Sequence, residues 1–165
     1  MRKAIAVAAA SLILFGGSAA LAATPFLNLS SDANQVATAA NTGLALQMTG
    51  DATPGFKVAG SKITITAAGD YYVEVAAQVG GSVAGDVYLW PRLNGKDIDD
   101  SNSIQYISSP QFTAVLVSQG EMSFKAGDVL EIMTAASAPG IGVIASKPTG
   151  SPTVPAVLVT IYKLP

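Results

Sequence analysis

The chain has 165 residues, 9 basic against 11 acidic, half of them hydrophobic, with no histidine and no cysteine. Without imidazole or thiol it lacks the usual general base near neutral pH, a thiol nucleophile, any disulfide and the common zinc and iron–sulfur ligands. Past the N-terminus the basic residues Lys57, Lys62, Arg92, Lys96, Lys125, Lys147 and Lys163 are scattered with no run, which argues against a nucleic-acid partner.

The first segment reads as a secretory signal peptide. Met1-Arg2-Lys3 precedes an apolar stretch, AIAVAAASLILF, which is followed by small residues ending in Ala20-Leu21-Ala22. The apolar stretch is shorter than the roughly 20 residues a membrane helix needs, so residues 1–22 are expected to be cleaved, leaving no membrane span. Losing Arg2 and Lys3 leaves 7 basic residues against 11 acidic, a formal charge of −4. The expected location is secreted: periplasmic, extracellular or cell-surface. Residues 23–34, with the sequence TPFLNLSSDAN over 24–34, read as a lead-in, and residues 35–165 as one domain.

From there the pattern is all-β. Short β-branched and aromatic runs alternate with Gly, Pro, Asn and Asp clusters, and no stretch repeats convincingly every 3.6 residues. In order, the predicted strands are NQVAT, LALQMT, KITIT, YYVEVAAQV, DVYLWPRLN, SIQYIS, FTAVLVSQGEMSF, VLEIMTAAS, IGVIAS and PAVLVTIYKL. Turn chemistry separates them, notably at Asn94-Gly95, Gly127-Asp128 and Pro139-Gly140. In YYVEVAAQV, Tyr71, Val73, Val75, Ala77 and Val79 are expected to face the core. In AVLVS and AVLVT both faces are apolar, so these strands need cover on both sides, and a neighbouring subunit is the simplest second cover.

Candidate chemistry is sparse. Asp97, Asp99, Asp100 and Asn102 crowd six residues and could offer oxygen ligands to Ca²⁺, but the spacing is not that of an EF-hand, and a solvated turn is the plainer reading. No other cofactor is expected. Trp90, Tyr88 and Tyr106 are candidates for stacking on a sugar, with core or interface packing as the alternative. No catalytic residue stands out, and the chain is read as a non-enzyme.

Four motifs in sequence carry a resemblance. Gly69, Tyr71 and Gln78 frame one strand; Trp90 is followed by Asn94-Gly95 and Ser101; Phe124 precedes Ala126-Gly127-Asp128; and Pro152 and Pro155 lead into Val157–Leu164. Together, over residues 35–164, they resemble the tumour necrosis factor/complement subcomponent q superfamily of jelly-roll heads, in particular its compact bacterial and phage type. The resemblance implies a two-sheet antiparallel jelly-roll sandwich, with the first and last strands on an inner sheet near a three-fold axis, and an Ala-Gly-Asp turn that is architectural. It implies a homotrimeric structural or binding module for surface display or adhesion. Its partners are copies of itself and an unidentified surface ligand or glycan. A filament or matrix subunit built by N-terminal strand addition and a lectin-like domain are the alternatives. Pro91 departs from the family pattern, and a proline within a strand predicts an edge or a bulge.

Overall fold

The computed structural model describes residues 24–165, and every regular element in them is a β-strand. In chain order these are β1 Phe26–Ser31, β2 Gln35–Val36, β3 Leu44–Ala45, β4 Thr49–Ala52, β5 Phe56–Ala59, β6 Lys62–Ile65 and β7 Gly69–Gly81. They continue with β8 Gly85–Leu93, β9 Lys96–Asp97, β10 Ser103–Ile107, β11 Ala114–Phe124, β12 Val129–Ala136, β13 Ile141–Val143 and β14 Val157–Lys163. The expected signal peptide lies outside the described residues.

Two antiparallel sheets form the sandwich. The first runs β2-β13-β7-β14-β1-β4, with β11 also paired to β7; the second runs β10-β8-β12-β6-β5, with β3 on β12 and β9 on β8. Strand β7 organises the first sheet. β11 lies along one edge from Gly69 to Val79, while β14 lies along the other and is succeeded by β13 where Gln78 donates to Ala156 and accepts from Ile144.

Alternation explains the core. Tyr71, Val73, Val75, Ala77 and Val79 of β7 are buried as their spacing predicts, joined by Val157, Val159 and Ile161 of β14 and by Leu27 and Leu29 of β1. From the second sheet Val87, Leu89, Leu130 and Ile132 close the layer. Tyr71 packs edge-on to Phe56 at 5.6 Å and beside Phe124 at the same distance, and its hydroxyl reaches the Ala67 carbonyl at 2.6 Å. A buried ring with its polar atom satisfied gives the core both area and a fixed orientation.

One boundary needs correction, and the expectation for Pro91 is met locally, at a gap in one ladder. The segment taken as a lead-in contributes β1, which is inserted between β14 and β4 over Phe26–Ser31, so the folded domain starts before residue 35. Only its period-two pattern, Leu27 and Leu29 inward against Phe26 and Asn28 outward, signals this in the sequence. Pro91, expected at an edge or bulge, sits in β8 between β10 and β12. It is tolerated because its nitrogen faces the gap where β10 has ended at Leu89 and the β9 hairpin begins at Arg92, so no ladder donor is lost.

Candidate functional site

Among the described residues no group of three or more acidic side chains is placed to hold a metal ion. Glu131 accepts from the Ser61 hydroxyl at 3.2 Å, and Glu74 stands within reach of the Tyr72 hydroxyl at 3.4 Å. Clefts of about 490 and 520 Å³ flank Asp32 near the ends of β1 and β13 and are lined mainly by small polar side chains. The functional features lie instead on the two outward faces of the sandwich.

The outward face of the first sheet is built in cross-strand rows. Register places Val117, Ala76, Leu158 and Ser30 in one row, Gln119, Glu74, Thr160 and Asn28 in the next, and Glu121, Tyr72, Tyr162 and Phe26 in the third. Val115 is 65 % exposed, and Val117 and Leu158 are each 43 % exposed, a degree of exposure that β-branched and aliphatic strand residues normally avoid. Tyr72 and Tyr162 stack with centroids 5.2 Å apart, and the Tyr72 hydroxyl donates to Gln119 Oε1 at 3.1 Å. Partial desolvation and the neighbouring Glu74 carboxylate push the Tyr72 phenol above its ordinary value, so it stays a neutral donor.

The outward face of the second sheet carries the aromatic candidates. Tyr88 and Trp90 alternate on β8, and Tyr106 joins them from β10, where Ile104 is paired directly with Tyr88. The structure therefore brings Trp90, Tyr88 and Tyr106 to one face. Beneath them Met133 is only 2 % exposed although it points away from the sandwich core. Its register partner is Trp90, and the loop before β3 packs against Met133 and one edge of the indole: a Cβ at Gly43 would lie 3.5 Å from Met133 Cε and 3.7 Å from Trp90 Cζ2.

The acidic stretch divides. Asp97 Oδ1 accepts from Trp90 Nε1 and from Arg92 Nε, both at 2.7 Å, and these bonds hold its carboxyl below the usual range. Asp99 and Asp100 lie exposed in the following turn, which the Ser101 hydroxyl closes onto the Ile98 carbonyl at 2.6 Å. Asp97 is thus pinned at the hairpin end, and Asp99, Asp100 and Asn102 lie in the turn and the start of the strand approach that follow it.

No protein-family model matches the chain, and no curated protein matches it in sequence. Its backbone is similar to crystal structures of murine APRIL at pH 5.0, 8.0 and 8.5, with TM-scores of 0.61, 0.57 and 0.56. Each is 11 % identical, and each alignment covers 86 % of this chain and 100 % of the other. The fold is a tumour necrosis factor-like jelly roll. At this identity the likeness concerns the backbone alone, and the side chains on both faces are this chain's own.

Within the jelly roll the Ala-Gly-Asp turn is structural. Gly127 adopts φ 95°, and Asp128 Oδ2 accepts from the Lys125 amide at 2.8 Å. Its Oδ1 accepts from Asn94 Nδ2 at 2.9 Å, while Asn94 Oδ1 accepts from the Val129 amide at 2.9 Å. Asp128 thereby joins its own turn to the Asn94-Gly95 hairpin, whose residues sit at φ 51° and 78° as a two-residue turn requires. Sequence reasoning did not single out Arg92 or Ile104 for the aromatic face. Their period-two spacing, Arg92 from Trp90 along β8 and Ile104 from Tyr106 along β10, was the available signal.

Proposed function

We propose that the protein is a secreted, non-enzymatic module that associates as a homotrimer through the outward face of its first sheet. The observation that carries this reading is the exposure of Val115, Val117, Leu158, Tyr162 and Phe26 on one continuous sheet surface that contains the first and last strands. That is the sheet the family resemblance implies at the three-fold axis. The middle row, Gln119, Glu74, Thr160 and Asn28, supplies polar groups that can pair across subunits, while the apolar and aromatic rows supply area. A permanent interface of this kind buries on the order of 1,000 Å² or more per subunit.

Light scattering coupled to size-exclusion chromatography at micromolar concentration tests the reading. The expected mass is three times that of the chain, and a monomer at every concentration overturns it. The filament alternative is less favoured, because β1 is held on both edges by β14 and β4 and would have to leave both to complete a neighbour's sheet.

A further inference from the structure

The second sheet's outward face has a composition that the trimer reading does not use. Ile104 is 59 % and Tyr106 57 % exposed, Tyr88 and Trp90 are half-buried beside them, and Arg92 continues the same side of β8. Exposed apolar and aromatic groups beside a polar cluster mark a recognition surface more often than a bare solvent face.

The polar cluster narrows what could be recognised. Arg92 Nε and Trp90 Nε1 both donate to Asp97 Oδ1, which fixes the indole, the guanidinium and the carboxylate relative to one another before any ligand arrives. The terminal amino groups of Arg92 and Asp97 Oδ2 make no hydrogen bond to any described residue. A fork of donors and an acceptor therefore stand side by side next to an aromatic ring. Their charges offset each other within the pair, and Glu131, the register partner of Arg92, adds a carboxylate beside it, so an anionic ligand gains little and must lose its hydration. A neutral ligand with adjacent hydroxyls, each able to donate and accept, satisfies both free groups. An aromatic ring wants an apolar C–H face above it. A pyranose with equatorial vicinal hydroxyls combines the two. Tyr88 lies two residues from Trp90 on the same face, roughly 7 Å along the strand, so a second sugar unit of a chain can meet a second ring.

The geometry points to a carbohydrate site on the second sheet, in which a neutral pyranose lies against Trp90 and its vicinal diol is held between the Arg92 amino groups and the free oxygen of Asp97. Tyr88, Ile104 and Tyr106 extend the platform for neighbouring units of a glycan. The site does not depend on trimerisation, since it lies on the opposite side of the sandwich from the proposed subunit interface. Three copies on one trimer would add avidity without altering the single-site affinity.

Because Trp90 is the only tryptophan, its emission reports the site directly. The intact protein is titrated with cellohexaose, whose rings are flat and carry equatorial hydroxyls, and followed by fluorescence and by calorimetry. A saturable shift in emission is expected, with matching heat. Asp97→Asn and Arg92→Lys should each weaken binding at least about tenfold. Trp90→Ala should abolish the heat while circular dichroism and oligomeric mass stay those of the parent. A first-sheet variant, Leu158→Glu, should keep the single-site affinity even if it is monomeric, which separates failure of this site from failure of the trimer. Absence of heat and of an emission shift at millimolar cellohexaose overturns the proposal. Binding that survives both Asp97→Asn and Trp90→Ala also overturns it, placing the sugar elsewhere.

Discussion

The two outward faces of the sandwich solve the same problem differently. On the second sheet Met133 is buried within the chain beneath Trp90 and the loop at Gly43, while Ile104 and Tyr106 at the β10 edge stay exposed. On the first sheet Val115, Val117 and Leu158 are left exposed by the described residues. The difference teaches that apolar residues on an outward strand face carry no fixed meaning by themselves. What decides is whether the chain spends a loop on them, and where it does not, a partner surface or a ligand is the remaining cover.

The largest expected effect breaks this contrast at its root. Val117→Glu combined with Leu158→Glu adds two charges in one row of the first sheet, on β11 and β14 either side of Ala76. Assembly should be lost outright, with light scattering falling to the mass of one chain. The matched pair on the other face, Ile104→Glu with Tyr106→Glu, should leave the assembled mass unchanged. If both pairs dissociate the protein, or neither does, the distinction between the faces is wrong.

Next in size is Met133→Ala. Removing a buried methionine typically costs about 2–5 kcal/mol, through lost transfer energy and the cavity left behind. Because Met133 supports Trp90 and not the main core, the loss should appear as a lowered denaturation midpoint together with a red shift of Trp90 emission. A substitution that lowers stability without moving the emission would show that the indole does not rest on it.

A smaller effect sharpens the same comparison. Dilution that dissociates the proposed trimer should leave Trp90 emission unchanged, because its surroundings, Asp97, Arg92, Met133 and Gly43, all belong to its own chain. A concentration-dependent shift that follows the loss of mass would put the second sheet in the interface.

Much of this architecture was legible in the sequence. Strict alternation in YYVEVAAQV fixed which side of β7 is buried, and the doubly apolar AVLVS and AVLVT segments marked the strands whose second face stays uncovered. Less legible were the short strands whose pairing, not pattern, defines them. β4, with the sequence Thr-Gly-Asp-Ala, is exposed throughout and exists because β1 offers it a free edge. β1 was obscured because its polar outward residues, Asn28 and Ser30, and the Ser31 that ends it resemble those of a loop. For the aromatic face, residue identities were readable but their convergence was not. Trp90 and Asp97 are seven residues apart and meet only because the Asn94-Gly95 hairpin folds β9 back on β8.

The smallest predicted effect concerns pH. Asp97 is held below the ordinary carboxylate range chiefly by its bond from Arg92 and then from Trp90, and Asp128 chiefly by its bond from Asn94 and then from the Lys125 amide. In both, the charged form is favoured in the folded state. Their contribution to stability is therefore fully present above the unfolded carboxylate value of about 4 and fades as the pH falls through the lower folded values. Both groups tie the Asn94-Gly95 hairpin end, at Trp90 and at the Ala-Gly-Asp turn, so acid should loosen that end of the second sheet. Thermal melting between about pH 2 and pH 6 checks this. The variant carrying Asp97→Asn and Asp128→Asn should melt below the parent near neutrality, and the two curves should converge as the pH drops. Parallel curves over the whole range would mean that the bonds at these two carboxylates add nothing when charged.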